Sequence, residues 1–118
     1  DSIFNKNAQE RKDFLNYYYS KEELEARKEG YNAKISKNRH KLSDKNIGII
    51  DKIKIISEIL DIKQKKRIEE ANYENHKIQQ ELRNDPDNKE LQRKAIIARI
   101  KVEFEQISLL RKTFANGI

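Results

Sequence analysis

The sequence predicts an all-α fold, an elongated helical bundle built on a long antiparallel helical hairpin with the N-terminal helices packed along it. Val and Thr, which favour strands, occur once each, as Val102 and Thr113. The isoleucines recur at helical spacing and show no strict alternation. Charged residues make up 39% of the 118 residues and hydrophobic residues 36%, so long helices with narrow apolar seams suit this composition better than a deep core.

The first two helices are predicted within residues 1–43. Ser20 and Glu23 have the spacing of a capping box, so we expect a helix to begin at Ser20 and the preceding one to end at the tyrosine triplet. Three consecutive residues cannot share one helix face, and we expect Tyr19 to be the exposed ring. An apolar stripe, interrupted by Arg11, runs along the first helix: Phe4, Ala8, Leu15 and Tyr18.

The second helix is expected to extend to about Lys41. Glycine costs about 1 kcal/mol inside a helix, so a kink or a helix end at Gly30 stays open. Ser43 is expected to cap the next helix. The apolar seam of the second helix consists of Leu24, Tyr31, Ile35 and Leu42.

Residues 44–118 are predicted to form the hairpin, within one domain that spans residues 1–118. Its first helix would extend from Asp44 to Arg83 and its second to about Ala115. The turn is expected at residues 84–88, where Asp85 suits the N-cap and Pro86 the first position of the next helix. So short a connection makes the two helices antiparallel.

Three apolar seams are expected to form the core of the hairpin. The third helix carries Ile49, Ile53, Ile56 and Leu60, and then Ile68, Ala71, Asn75, Ile78 and Leu82. The fourth helix carries Ile97, Ile100, Phe104, Ile107 and Phe114. The offset between the first two seams indicates an irregular heptad pattern, a discontinuous coiled coil. If the helices pair from their loop, the best core would collect Ile53, Ile56, Ile107, Leu110 and Phe114. Such a shallow core favours self-association into a homo-oligomer.

No pattern in the sequence predicts an enzyme, a metal site or a cofactor. The absence of Cys excludes thiolate chemistry. His40 and His76 are far apart, and neither has a second His at i+4. Residue 73, three before His76, is Tyr and not the Glu of a di-iron helix. No glycine-rich loop and no apolar run of the roughly 18 residues that cross a membrane is present. We therefore expect no catalytic residue, metal or cofactor.

Basic residues are concentrated in one segment. Seven basic and two acidic residues lie between Arg27 and Lys45, which accounts for +5 of the net charge of +6. On a helix, four lysines would lie on one side as a basic stripe, defined as Lys34, Lys37, Lys41 and Lys45. Such a stripe suits a polyanionic or acidic partner, and a solvated helix face is the alternative. Tyr19 and Tyr31 are candidate partner-binding rings, because Tyr offers a large area and a polar tip.

The composition of the chain is biased: Lys, Ile, Asn and Glu dominate, Cys is absent, and the chain begins with Asp1, as a processed or trimmed product would. In this general character the chain resembles the mature part of a helical surface lipoprotein from Borrelia-type spirochaetes. This resemblance covers the whole chain and rests on no motif, so it implies no functional residue. It implies a lipid-anchored, extracellular, non-enzymatic domain that binds host or tick proteins, glycans or complement components.

The sequence thus predicts a non-enzymatic binding or structural interaction module, exposed on the cell surface and contacting a host protein or an acidic partner. The alternative is an intracellular, basic helical protein that binds nucleic acid through the same stripe. Sequence-specific reading favours Arg, Asn and Gln, whereas the stripe consists of Lys. Single-strand binding requires interleaved aromatic residues, and Tyr31 is the only one in this segment.

Overall fold

A computed structural model describes the backbone of residues 2–117 and the side chains of residues 5–111. It contains four helices and, within residues 2–117, no strand: α1 Ser2–Tyr18, α2 Lys21–Leu42, α3 Ile49–Asn84 and α4 Lys89–Gly117. The molecule measures 62 × 29 × 28 Å and its radius of gyration is 19.0 Å, whereas a compact domain of this length would have about 13 Å. The predicted all-α class and the elongated shape are confirmed.

The central element is α3, because α2 and α4 both pack on it and not on each other. Two polar contacts fix the direction of α2. Arg27 near its start bonds to Glu69, and Asn32 accepts a bond from Lys66, which is earlier in α3. The two helices are therefore antiparallel.

Between α2 and α3 lies a cluster of buried isoleucines. It is formed by Ile35 of α2 with Ile59 and Ile62 of α3, each 6–7% exposed. The predicted seam of α2 is confirmed, since Leu24 and Ile35 are buried and the two other members, Tyr31 and Leu42, are half-buried. Gly30 does not interrupt α2, which is continuous across it.

A different kind of seam joins α4 to α3. Ala95 and Ala98 are buried at 5% and 4% exposure, and Gln79 of α3 donates a hydrogen bond to the Ala95 carbonyl at 3.5 Å. Small side chains at a helix contact shorten the distance between the axes. Half-buried residues at the same spacing complete the alanine seam of α4: Leu91, Val102 and Leu109. The predicted second seam of α3 is half-buried throughout: Ile68, Ala71, Asn75, Ile78 and Leu82.

The predicted best core of the hairpin is wrong. Its four described members are between 47% and 61% exposed: Ile53, Ile56, Ile107 and Leu110. The fifth, Phe114, lies outside the described side chains, as does Phe4 of the α1 stripe. Register is one reason. Arg67 pairs with Glu105 at 3.6 Å, so α4, which ends at Gly117, extends only to about residue 55 of α3, short of its first turns.

The junction between α1 and α2 follows the predicted capping box. Ser20 is the N-cap of α2, and its Oγ accepts a hydrogen bond from the Glu23 backbone at 3.3 Å. Ser43, however, is the C-cap of α2 and does not cap α3. Its Oγ donates to the His40 carbonyl at 2.6 Å, which ties the residue to the helix behind it.

The hairpin turn occurs where it was predicted, but its caps differ. Asp85 is the C-cap of α3, because its backbone N–H bonds to the carbonyls of Glu81 and Leu82. The residue that caps α4 is Asn88, whose Oδ1 accepts a hydrogen bond from the Leu91 N–H at 3.1 Å. The predicted start of the last helix at Asp85 and Pro86 is therefore three to four residues early.

The buried cluster between α2 and α3 gives a stability prediction. Ile59→Ala should lower the free energy of unfolding by about 2–4 kcal/mol, because it removes buried methylenes and leaves a cavity. Leu15→Ala is the matched control, since Leu15 is 43% exposed on α1, and should cost no more than about 1 kcal/mol. Urea denaturation followed by circular dichroism measures both. Equal losses would show that the cluster is not the core.

Candidate interaction surface

A row of exposed apolar side chains lies on α4. We call Ile97, Ile100, Phe104 and Ile107 the open α4 seam; they are 55%, 57%, 66% and 56% exposed. They repeat at the spacing that was predicted for a core seam, but they lie beside the contact with α3 and remain exposed. The helix has two apolar seams of the same period, and only the alanine seam is used inside the chain.

A second exposed seam occupies the first half of α3. We call Ile49, Ile53, Ile56 and Leu60 the open α3 seam; they are 72%, 61%, 47% and 51% exposed. On this part of α3, α2 packs against a different set of residues, namely Ile55, Ile59 and Ile62. This seam was predicted to be buried by the end of α4, whose register stops short of Ile49 and Ile53.

A groove of about 550 Å³ runs along α3 between α2 and α4. Tyr73 and Ile78 line it from α3, Leu24 from α2, and Ile97 of the open α4 seam from the other side. Both signs of charge surround these apolar residues: Glu70, Glu74, Lys77, Glu81, Lys94 and Lys101. The groove therefore offers apolar contact with charged groups at its edges.

The groove and the two seams belong to one side of the molecule. Ile100 and Phe104 line an adjoining depression that shares Glu70 and Glu74 with the groove and continues to Arg67. Counting by three and four residues, the open α3 seam continues from Leu60 through residues 63, 67, 70 and 74, so it lies on the groove side of α3. We call this continuous surface the open face: the groove with both open seams.

The basic stripe lies on α2 and in the connection that follows it. Lys34, Lys37, Lys41 and Lys45 are all exposed, and within the part of the chain that the structure describes none of them forms an ion pair. Lys34, Lys37 and Lys41 are on the helix, whereas Lys45 follows it. The stripe therefore presents concentrated positive charge to the solvent.

The candidate tyrosines pack inward and are not part of the exposed stripe. Tyr31 packs against the buried cluster between α2 and α3. Tyr19 is half-buried and stacks on His76 with a centroid distance of 4.7 Å. Burial raises the pKa of both phenols. The prediction that Tyr19 is the exposed ring of the triplet is wrong: Tyr17 is 63% exposed, and its hydroxyl donates to Glu23 at 2.5 Å.

Arg27, which the sequence did not single out, joins three helices at this junction. Its Nε donates to Glu69 Oε2 of α3 at 2.9 Å, and its guanidinium lies 4.2 Å from the ring centroid of Tyr18. It also approaches Glu23, one turn earlier in α2, at 3.8 Å. The i,i+4 spacing of Glu23 and Arg27 was visible in the sequence, but the contact with Glu69, 42 residues away, was not.

His76 of α3 packs against Tyr19, which in turn packs against Tyr18. We call these three side chains the ring cluster. The His76 ring is half-buried against Tyr19, and its Nε2 is buried without a hydrogen-bond partner among the described residues. Loss of solvation, with a smaller effect from the positive charge of Arg83, lowers the pKa of His76 below its ordinary value of 6.5. The protonated imidazole is therefore disfavoured in the folded chain.

Neither metal chemistry nor a membrane span is indicated by the described residues. No group of three His, Asp or Glu side chains among them could hold a metal ion. No helix in the described part of the chain is long and apolar enough to span a bilayer. Comparison with known proteins found no family model, no curated protein and no solved structure that matches this chain.

The environment of His76 predicts how stability depends on pH. Its pKa is lower in the folded than in the unfolded chain, so below about pH 6.5 the unfolded chain binds more protons and stability falls as the pH falls. Above about pH 6.5 His76 is neutral in both the folded and the unfolded chain, so it causes no loss of stability. Thermal unfolding between about pH 8 and pH 5.5 should show the loss at lower pH, and His76→Gln should reduce it.

The other histidine supplies the matched control. His40 is exposed on α2, so His40→Gln should keep the pH dependence of the wild-type chain. If His40→Gln flattens the curve as much as His76→Gln, the pH dependence does not come from the ring cluster.

Proposed function

We propose that this protein is a non-enzymatic interaction module that binds a protein partner through its open face. The observation that carries the proposal is the open α4 seam, whose four large apolar residues are each more than half exposed. Large contiguous apolar patches are rare on monomeric soluble proteins and mark interaction sites. The regular spacing of three and four residues suits a partner that is itself an amphipathic helix.

The binding mechanism follows from the shape of this surface. An incoming helix would bury its apolar side on Ile97, Ile100 and Phe104, and the gain comes from apolar area removed from water. Phe104 is the natural anchor, because aromatic residues dominate the energetics of interfaces. Lys94 and Lys101 next to the seam would orient a helix with acidic flanks.

Location on a cell surface belongs to the same proposal, and its support is the compositional resemblance to helical surface lipoproteins. The exposed basic stripe is compatible with a host-facing surface that meets acidic partners. Protease treatment of intact cells tests the location. The domain should be removed from the cells if it is exposed on their surface, and should survive if it is intracellular.

A second candidate function, nucleic-acid binding, is favoured by the basic stripe, whose lysines are exposed and form no ion pair with a described residue. Affinity for a mixed-sequence DNA duplex would then fall with salt, with a logarithmic slope of about −0.9 for each phosphate contacted. Lys37→Glu with Lys41→Glu would weaken binding and reduce that slope. Binding that is insensitive to these changes would exclude the stripe as the site.

The main proposal can be tested with a synthetic amphipathic helix. The probe is a peptide of about three heptads with Leu at the a and d positions and Glu beside them. We expect the labelled peptide to bind the protein in fluorescence anisotropy. Phe104→Ser should weaken this binding about tenfold or more, because it removes the aromatic anchor.

The chain offers a closely matched control for this substitution. Phe14 on α1 is 61% exposed, compared with 66% for Phe104, and it does not line the groove or the adjoining depression. Phe14→Ser should leave peptide binding within about twofold of wild type. Equal effects of the two substitutions, or no binding by the wild-type chain, would contradict the proposal.

A further inference from the structure

We infer that the partner which covers the open face is a second copy of this chain, in a two-fold symmetric dimer. The inference rests on the proposed function and names the partner of the same surface. In this dimer the open α3 seam of each copy packs on the open α4 seam of the other, so one contact occurs twice.

The accessible area of the single chain supports a dimer. The chain exposes 9378 Å², whereas a compact monomer of 14.1 kDa would expose about 6,700 Å². The difference of about 2,700 Å² exceeds what a standard interface requires from one partner, which is about 800 Å². A two-fold interface on the open face therefore has ample surface to bury.

The core of the single chain is also small for its length. Six of the described apolar residues are buried: Leu24, Ile35, Ile59, Ile62, Ala95 and Ala98. Two of the six are alanines, which bury little area. None of the described side chains is less than 2% exposed. Small domains that bury this little are commonly stabilised by oligomerisation, by a metal or by disulfides. The chain has no Cys, and the described residues offer no metal cluster.

The charges beside the two seams do not oppose reciprocal packing. The segment from Ile49 to Leu60 contains two basic and two acidic residues. The segment from Ile97 to Ile107 also contains two basic and two acidic residues. Neither seam therefore carries a net charge that would repel the other.

The seams also match in length and spacing. The open α3 seam extends from Ile49 to Leu60 and the open α4 seam from Ile97 to Ile107, so each is about 16 Å long. Both have intervals of three and four residues, which is the pattern that lets side chains of two helices interdigitate. Three lysines of the basic stripe are on α2, which packs on Ile55, Ile59 and Ile62 of α3 and not on the open α3 seam.

The association state of the intact chain tests this inference. Sedimentation equilibrium over a range of concentrations should give twice the chain mass of 14.1 kDa, and dilution should lead to monomers. Phe104→Ser and Ile53→Ser, one in each seam, should each raise the dissociation constant of the dimer about tenfold or more. Phe14→Ser should leave it unchanged. Because Ile53 and Phe104 are exposed in the single chain, the helix content should not change.

Disulfide trapping tests the reciprocal arrangement independently. The chain has no Cys, so a single introduced thiol reports only on its own position. A mixture of Ile56→Cys and Ile100→Cys chains should form the mixed disulfide faster than either variant links to itself. Faster self-linkage of Ile100→Cys would replace the reciprocal arrangement by an α4–α4 contact and overturn the inference.

The outcomes separate the inference from the proposed function. A wild-type chain that stays monomeric but binds the amphipathic peptide would overturn the dimer and leave the interaction module in place. A monomer that does not bind the peptide would overturn both. A dimer whose dissociation constant is unchanged in Phe104→Ser and Ile53→Ser would assemble through another surface, which also overturns the inference.

Discussion

The fold depends on one helix, α3, which must serve two neighbours with few apolar residues. In a chain that is 39% charged, each helix pair can share only a narrow seam. The first half of α3 gives Ile55, Ile59 and Ile62 to α2, and its second half packs against the alanine seam of α4. Because α2 and α4 do not pack on each other, a groove separates them along α3, and the side of α3 that forms its floor stays accessible to solvent.

This arrangement explains why the best hydrophobic residues are outside the core. Once Ala95 and Ala98 bring α4 close to α3, the larger side chains at Ile97 and Ile100 necessarily face elsewhere. Ile53 is exposed for a different reason, because it lies beyond the end of α4. Exposed apolar seams are thus a direct result of the register and the narrow contact, and they are the basis for both proposals about binding.

Much of the fold could be predicted from helical periodicity and caps. The seam of α2 and the capping box at Ser20 were predictable, because both depend on residues that are close in sequence. The side of α4 that packs on α3 was not predictable, because Ile97 and Ala98 are neighbours and each belongs to a regularly spaced seam. Hydrophobicity alone favours isoleucine for the core, whereas the close approach of two helices selects alanine. The cap at Asn88 was missed because Asp85 and Pro86 carry a similar signal.

The candidate site was predicted only in part for the same reason. The exposure of Lys34, Lys37 and Lys41 follows from their position on α2, beside its apolar seam. The inward orientation of Tyr19 depends on His76, a contact between α3 and the end of α1 that no local pattern reveals. Arg27 likewise owes its role to Glu69, on a different helix. These contacts fix α1 against the bundle through rings and charges, while the open face is formed by α3 and α4.

The measurement that tests the central claim most directly is the reactivity of thiols at two neighbouring positions of α4. Ala98→Cys and Ile97→Cys would each carry the only cysteine in the chain, at the same distance from the helix ends. At concentrations low enough to keep the chain monomeric, Ile97→Cys should react with a thiol reagent at nearly the rate of an unfolded peptide. Ala98→Cys should react at least about tenfold more slowly, because its site is buried. Equal rates, or faster reaction at position 98, would show that the alanine seam does not face α3.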